Sequence, residues 1–347
     1  MKALVKLEPG PGNLDLQEMP VPTPSARDVV IRVRAVGVCG TDVHILHGSY
    51  RTSTPIIIGH EFSGEIAEVG AEVTAWKAGD RVVVENTAGA CGTCKLCRTG
   101  NPHICSSKLA YGTDSHGAMA EYAMFHQDAL HRIPDSVTFE DAALTEPLVV
   151  VNHGLLERGA IPPSSMVVVL GAGTIGLMSV QVAKSIGAGH VILAGTSKDA
   201  GRLALGRELG ADTIVNVEED DLRQVVNRLT SNNGADVVIE ASGSPKASAE
   251  SIHLVARAGQ VIVIGLTGAP VSIDWDLAVF KEIDIRFSKS STYMSWVRAL
   301  RMIASGDVKT APLITHRFAL DQWREALRVV ESGEAVKALV FPDGGTT

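Results

Sequence analysis

The chain is poor in aromatic residues: Phe, Trp and Tyr together make up 4% of its 347 positions. A base-stacking or sugar-stacking surface draws on more rings than that. Positive charge is also short, with 31 Lys and Arg against 39 Asp and Glu and a net charge of −8. Nucleic acids and anionic membranes select a basic face, so neither is expected as a partner. No apolar run approaches the roughly 18 residues of a membrane-spanning helix. The opening Met1-Lys2-Ala3-Leu4-Val5-Lys6 is too short and too mixed for a signal peptide. A cytoplasmic location is therefore expected, where thiols serve metals more readily than disulfides.

Cysteine is scarce too, yet the five present divide without remainder into two zinc sites. Cys91, Cys94, Cys97 and Cys105 follow a C-x2-C-x2-C-x7-C spacing, enough to close a tetrahedron of thiolates around one structural zinc. A redox or nucleic-acid zinc ribbon uses similar spacings, and the acidic balance weighs against it. Cys39 stands alone in Gly37-Val38-Cys39-Gly40-Thr41-Asp42-Val43-His44. Further on, Gly59-His60-Glu61 offers an imidazole and a carboxylate side by side. A mixed Cys, His and Glu set is what a zinc with an open position uses. One closed and one open site predict a metalloenzyme with two zinc ions per chain.

At this length two domains are expected. Residues 1–150 carry short strand-like runs, among them Val29–Val36, Ile66–Val69 and Arg81–Val84, punctuated by Pro20, Pro22, Pro24, Gly70 and Gly79. Such punctuation predicts a compact, loop-rich β domain. Residues 151–287 alternate strand and helix, with strands at Val167–Leu170, Val191–Ala194, Thr213–Val217, Asp236–Ile239 and Val261–Ile264. That alternation predicts an α/β fold with a doubly wound parallel sheet. Residues 288–347, with helices around Trp296–Ala304 and Leu320–Glu331, are expected to return to the first domain and complete it. The closing Gly344-Gly345-Thr346-Thr347 reads as a frayed tail.

At the first strand-to-helix turn, Gly171-Ala172-Gly173-Thr174-Ile175-Gly176 fits G-x-G-x-x-G. The glycines let a pyrophosphate approach a helix N-terminus, where unpaired N–H groups favour anions. The pattern follows a Val-rich strand and opens an amphipathic helix, the context a dinucleotide site requires. At the end of the second strand, where NAD-specific folds place Asp or Glu, stands Ala194-Gly195-Thr196-Ser197-Lys198. Gly195 removes a carboxylate that would repel a 2′-phosphate, and Thr196, Ser197, Lys198 and Arg202 supply donors and positive charge. NADP is favoured, with NAD open through Asp199.

Together these residues resemble the zinc-containing medium-chain alcohol and polyol dehydrogenases. The resemblance runs through the Cys39 motif, Gly59-His60-Glu61, Gly79-Asp80-Arg81-Val82, the four-cysteine lobe, Gly117-Ala118-Met119-Ala120-Glu121-Tyr122, Glu146-Pro147-Leu148 and the glycine fingerprint. The pairs His60-Glu61 and Glu146-Pro147 resemble the polyol and threonine dehydrogenase branch. This implies a GroES-like catalytic domain joined to a Rossmann domain. It also implies a catalytic zinc on Cys39, His60 and Glu61, with Glu146 as exchangeable fourth ligand or holder of a water. Zinc as Lewis acid eases loss of the alcohol proton, and hydride passes to the nicotinamide. Thr41 takes the proton and the resemblance extends the relay to His44, although a surface role for His44 stays open; Asp42 orients His60. Gly265, Leu266 and Ser290 join the cofactor site by the same resemblance.

The implied substrate is a secondary alcohol of polyol type, in a cleft that includes Thr292 and Tyr293. Ser290-Ser291-Thr292-Tyr293 stands where relatives often carry Arg-Tyr, which sets sorbitol itself in question. Threonine 3-dehydrogenase-like or aldose (glucose) dehydrogenase-like activity is the alternative, and a non-catalytic zinc-binding module is an alternative of another class. His47, His103, His116, His126 and His131 read as ordinary surface or loop residues, and His153 as structural. A homotetramer or homodimer is implied, joined through the strand Val261–Ile264 and the apolar Val271–Ile273.

Overall fold

The computed structural model describes residues 1–344. One compact unit holds Met1–Glu146, Thr292–Ala304 and residues 310–344; the other holds Pro147–Ser291 and Ser305–Lys309. The boundaries expected near 150 and 288 lie at Glu146 and Thr292 instead. The short return of Ser305–Lys309 to the second unit has no counterpart in the sequence reading.

The first unit begins with strands β1 (Lys2–Lys6), β2 (Leu14–Glu18) and β3 (Asp28–Gly37), followed by helix α1 (Gly40–Leu46). Strands β4 (Ile56–Ile57), β5 (Glu61–Val69) and β6 (Arg81–Val84) precede the one-turn helix α2 (Lys95–Arg98). Strands β7 (Tyr122–His126) and β8 (Leu130–Arg132) lead to helices α3 (Phe139–Ala143) and α4 (Thr145–Asn152). Strand β5 pairs antiparallel with β3, setting Glu61 opposite Gly37, and with β6, setting Ser63 opposite Val83. Strand β6 pairs in turn with β8, setting Val83 opposite His131. Because side chains alternate across a sheet, Glu61, Ser63, Val83 and His131 share one face. Phe62, Val82 and Val84 turn to the other and join Ile31, Val33, Ile66 and Phe125 in the core. Phe125 anchors that core, stacked on Phe62 at 4.8 Å and edge-on to Tyr111 at 4.7 Å.

The second unit carries β9 (Met166–Leu170), helix α5 (Thr174–Ser185), β10 (His190–Gly195), β11 (Thr213–Asn216), β12 (Ala235–Glu240), β13 (Val255–Val263) and β14 (Asp284–Phe287). All six strands run parallel in the order β11-β10-β9-β12-β13-β14. The central strands β9, β10 and β12 are buried on both faces, which is why Val167-Val168-Val169-Leu170 reads as an unbroken apolar run. The expected pairing edge at Val261–Ile264 is corrected here. Val261–Val263 lie in β13, an interior strand; the sheet's edges are β11 and β14, and on β14 Phe287 is 66% exposed.

The chain then adds β15 (Ile314–Ala319) and β16 (Lys337–Phe341) to the first unit's sheet, in the order β15-β16-β3-β5-β6-β8, with β7 on β3. Strand β16 sets Leu339 opposite Gly37, beside the point where β5 sets Glu61.

A charged clamp fixes the β6–β8 register. Arg132 donates through both Nη atoms to the Asp80 carboxylate at 2.7 and 3.1 Å, and Lys77 N donates to the same carboxylate at 3.1 Å. Arg132 also lies over the Trp76 ring, 5.1 Å from its centroid. The guanidinium holds the Asp80 carboxyl below the usual carboxylate range. The arginine side chain is 57% exposed, so water screens the pair and limits its worth. Asp80→Ala is expected to lower unfolding free energy by about 1–2 kcal/mol. Urea unfolding checks this, with Arg132→Ala costing a similar amount and the double variant little more than either single one.

Candidate active site

Helix α1 is short and starts at Cys39, its N-cap residue. Asp42, fully buried, folds its Oδ2 back to accept the Cys39 backbone N–H at 2.9 Å. That capping bond fixes the turn on which Cys39 and Thr41 stand, with Cys39 Sγ 3.6 Å from Thr41 Oγ1. His60 and Glu61 arrive at the start of β5. The ligand atoms of Cys39, His60 and Glu61 all lie within 4.8 Å of one another, and both His60 and Glu61 are buried. Asp42 Oδ1 is 3.9 Å from His60 Nδ1, too long for a hydrogen bond, and both atoms are buried without a partner. Thus Asp42 acts first as a cap and only through its charge on His60. His44, in the last turn of α1, is exposed, with Nδ1 3.3 Å from Ser49 Oγ.

Lys337, which the sequence reading did not single out, completes this group. It is 4% exposed, and its Nζ donates to Glu61 Oε2 at 2.6 Å and to Val38 O at 3.2 Å. Burial works against the ammonium, but the charges of Glu61, Cys39 and Glu146 raise its pKa above the ordinary lysine value. Glu146 in α4 stands outside the closest group of ligand atoms. Burial pushes its carboxyl up to about 7, with His60 pulling down and Glu61 pushing up. For His60, burial favours the neutral ring, yet contact with Cys39 and the charges of Asp42 and Glu146 carry its pKa well above normal. Cys39, Asp42, Glu61 and Glu146 thus gather more acidic groups than His60 and Lys337 can neutralise. A thiol, an imidazole and a carboxylate in such an acid-rich pocket suit a divalent zinc.

Gly37 makes room for this. A Cβ at that position would collide with Glu61 Oε2, so the carboxylate lies directly over the Gly37 backbone.

The four-cysteine lobe is shaped for a second ion. Its sulfurs are separated by 3.5 Å (Cys94–Cys97), 3.6 Å (Cys91–Cys105) and 3.9 Å (Cys91–Cys97 and Cys94–Cys105). Four thiolates at about 2.3 Å from one zinc stand about 3.8 Å apart at tetrahedral angles. Backbone N–H groups of Cys94 and Thr93 bring the Cys91 thiol down to about 6.

The dinucleotide fingerprint sits between β9 and α5. Gly171 takes φ +104°, and a Cβ on Gly176 would collide with Gly171 O, so helix and turn pack backbone to backbone. Gly173 caps α5 without a side-chain bond and faces open space, leaving N–H groups for an anion. Thr174 and Ile175 open that helix. At the end of β10, the Asp199 carboxylate accepts from Thr196 N at 3.0 Å and Thr196 Oγ1 at 2.9 Å, and pairs with Arg202 at 3.2 Å. The Ser197 N–H goes to Glu218 Oε2 at 3.0 Å. Lys198 is exposed and makes no hydrogen bond or ion pair among the described residues. Glu218 is a carboxylate beside the loop that the sequence reading missed. Beyond β13, Gly265 N bonds to Glu240 O at 3.0 Å, Leu266 is 83% exposed, and Ser290 takes φ +62°.

The other histidines divide. His47 is exposed and pairs with Glu331 at 2.7 Å. His103 and His131 are buried, against expectation, while His116 Nδ1 accepts from Ile57 N at 3.1 Å. His153 Nδ1 is bonded to Glu157 at 2.9 Å within the π-helical turn His153–Arg158.

Comparison with known proteins agrees with this geometry. Residues 25–135 match the alcohol dehydrogenase GroES-like domain, and residues 174–305 match the zinc-binding dehydrogenase domain. The chain is 39% identical to a sorbitol dehydrogenase of Halalkalibacterium halodurans over 343 residues, 99% of each chain. It is 37% identical to an L-threonine 3-dehydrogenase of Anaeromyxobacter sp. (strain Fw109-5), covering 100% of each. A Sinorhizobium meliloti 1021 structure bound to NADP superposes with a TM-score of 0.90 at 31% identity, covering 98% of this chain and 99% of that one.

Gly37→Ala is expected to displace Glu61 and weaken metal binding at Cys39 and His60 while sparing the cysteine lobe. Zinc content per chain, measured by elemental analysis, should then fall below that of the wild type, with unchanged far-ultraviolet circular dichroism.

Proposed function

The chain belongs to the zinc-containing medium-chain dehydrogenases, and on that premise we propose that it transfers hydride between a polyol-type secondary alcohol and a nicotinamide dinucleotide. The close grouping of Cys39, His60 and Glu61 beside buried Glu146 carries this reading. Those three side chains would hold a catalytic zinc, with Glu146 the exchangeable fourth ligand, and Cys91, Cys94, Cys97 and Cys105 would hold a structural one. When bound, the zinc supplies Lewis acidity that eases loss of the alcohol proton, and the nicotinamide accepts the hydride. Thr41 would accept the proton at its hydroxyl oxygen while giving up its own, and His44 would carry a proton on toward solvent. Lys337 keeps Glu61 aligned. A threonine dehydrogenase-like activity is the second reading, favoured by the full-length likeness to an L-threonine 3-dehydrogenase.

For the cofactor we favour NADP. Thr196, Ser197 and Arg202 are already bonded within the loop, which leaves the exposed Lys198 to meet a 2′-phosphate. Glu218 opposes it, so the preference is moderate. Assays of polyols and L-threonine with both dinucleotides test the activity. Lys198→Ala should lower the NADP preference about tenfold, and Glu218→Gln should raise it. A wild type that oxidises L-threonine and no polyol would replace the first reading by the second.

Assembly follows the corrected edge. We place the interface of a homodimer, and of the tetramer built on it, along β14, where Phe287 is exposed and Trp275, Val279 and Phe280 are 65–71% exposed in the same unit. Light scattering should find a dimer or tetramer at micromolar concentration, and Phe287→Glu should shift it toward monomer.

A further inference from the structure

The sheet brings a second polar pair to the face that carries the metal ligands. Strand β5 sets Ser63 opposite Val83 of β6; continued two residues past the end of β6, the same register would bring Glu85 opposite Glu61. Residues directly opposite in an antiparallel pair share a face, with Cβ atoms about 4.5–5.5 Å apart. The Glu85 N–H donates to Ala129 O at 2.7 Å, which continues the ladder with β8 through this position. On β8, His131 stands opposite Val83 and its Nε2 lies 2.8 Å from Glu85 Oε1. The pair is well sheltered, with side chains 5% and 20% exposed.

Three contacts hold His131 rigidly. Its ring stacks on Trp296 at 5.6 Å with the planes 12° apart, and Tyr293 tilts against it at 4.8 Å. Glu85 supplies the third. The carboxylate itself is only half used, since Oε2 accepts no hydrogen bond among the described residues. A sheltered carboxylate gains by accepting on both oxygens, and an open acceptor beside Glu61 calls for a donor from the ligand. Water can serve while the site is empty; a substrate that displaces it must replace that bond.

Resting on the polyol reading, we propose that Glu85, oriented by His131, accepts a hydrogen bond from the hydroxyl next to the reacting carbon. A vicinal diol satisfies Oε2 on binding. A monohydric alcohol leaves it desolvated and unpaired, and a site built around a substrate hydroxyl rejects the analogue that lacks one. Discrimination between polyols and simple alcohols therefore resides in a pair that is itself neither a zinc ligand nor part of the cofactor loop.

The test compares propylene glycol with isopropanol, which differ by one hydroxyl, on zinc-replete full-length protein. The readout is the ratio of the two kcat/KM values for wild type, Glu85→Gln and His131→Phe. The phenylalanine keeps a ring between Trp296 and Tyr293, and the glutamine keeps the shape of Glu85. Exchange of a charged acceptor for a neutral amide oxygen should lower the ratio by about tenfold in Glu85→Gln, with a smaller drop in His131→Phe. Zinc content and thermal midpoint, measured on each variant, monitor the fold. A ratio that stays within about twofold of wild type, whether both rates persist or both fall together, overturns the proposal and leaves the polyol reading standing. A wild type that turns over no diol overturns both.

Discussion

Antiparallel register is the constraint on which the first unit's chemistry depends. Strands β16, β3, β5, β6 and β8 are locked by backbone hydrogen bonds at fixed offsets. A slip of one residue at any of them would turn every side chain on that strand to the other face. Glu61 would enter the apolar core, and Phe62 would leave it. Because both faces are specified, one by aliphatic packing and one by charge, such a slip is costly twice over. The Asp80–Arg132 clamp holds the pairing at the end of β6 remote from Glu85.

The acidic pocket is stable for a related reason. Taking Asp42, Glu61 and Glu146 out of water costs several kcal/mol each unless charge and hydrogen bonds compensate. The Cys39 N–H answers Asp42, Lys337 answers Glu61, and Glu146 responds to burial by holding its proton to about 7. A divalent ion held by Cys39, His60 and Glu61 would add to that compensation. Metal affinity and fold stability are in this sense one quantity at the site.

Much of this was legible in the sequence where chemistry is local. Cys39, His60-Glu61, the cysteine lobe and the glycine fingerprint each lie in a short motif whose spacing is itself the geometry. Lys337 was not legible, because it meets Glu61 across 276 positions and stands at the head of an apolar strand, Lys-Ala-Leu-Val-Phe. His131 reads as an ordinary surface or loop residue for the same reason: nothing near it in sequence announces Glu85 or Trp296. The pairing edge was misplaced because Val261–Ile264 is the more apolar segment, whereas β14, Asp-Ile-Arg-Phe, carries the charges that an edge strand tolerates. Periodicity finds strands well and says little about which neighbours they take.

Lys337 also bears on how the molecule comes into being. The cation that balances Glu61 lies in the last strand, while Cys39, His60 and Glu61 are synthesised first. During translation Glu61 emerges well before the lysine that pairs with it, and β3 lacks the neighbour that β16 provides. Closing that pair requires the long-range pairing that makes folding slow. Most of the polypeptide must leave the ribosome before the pocket reaches its working charge.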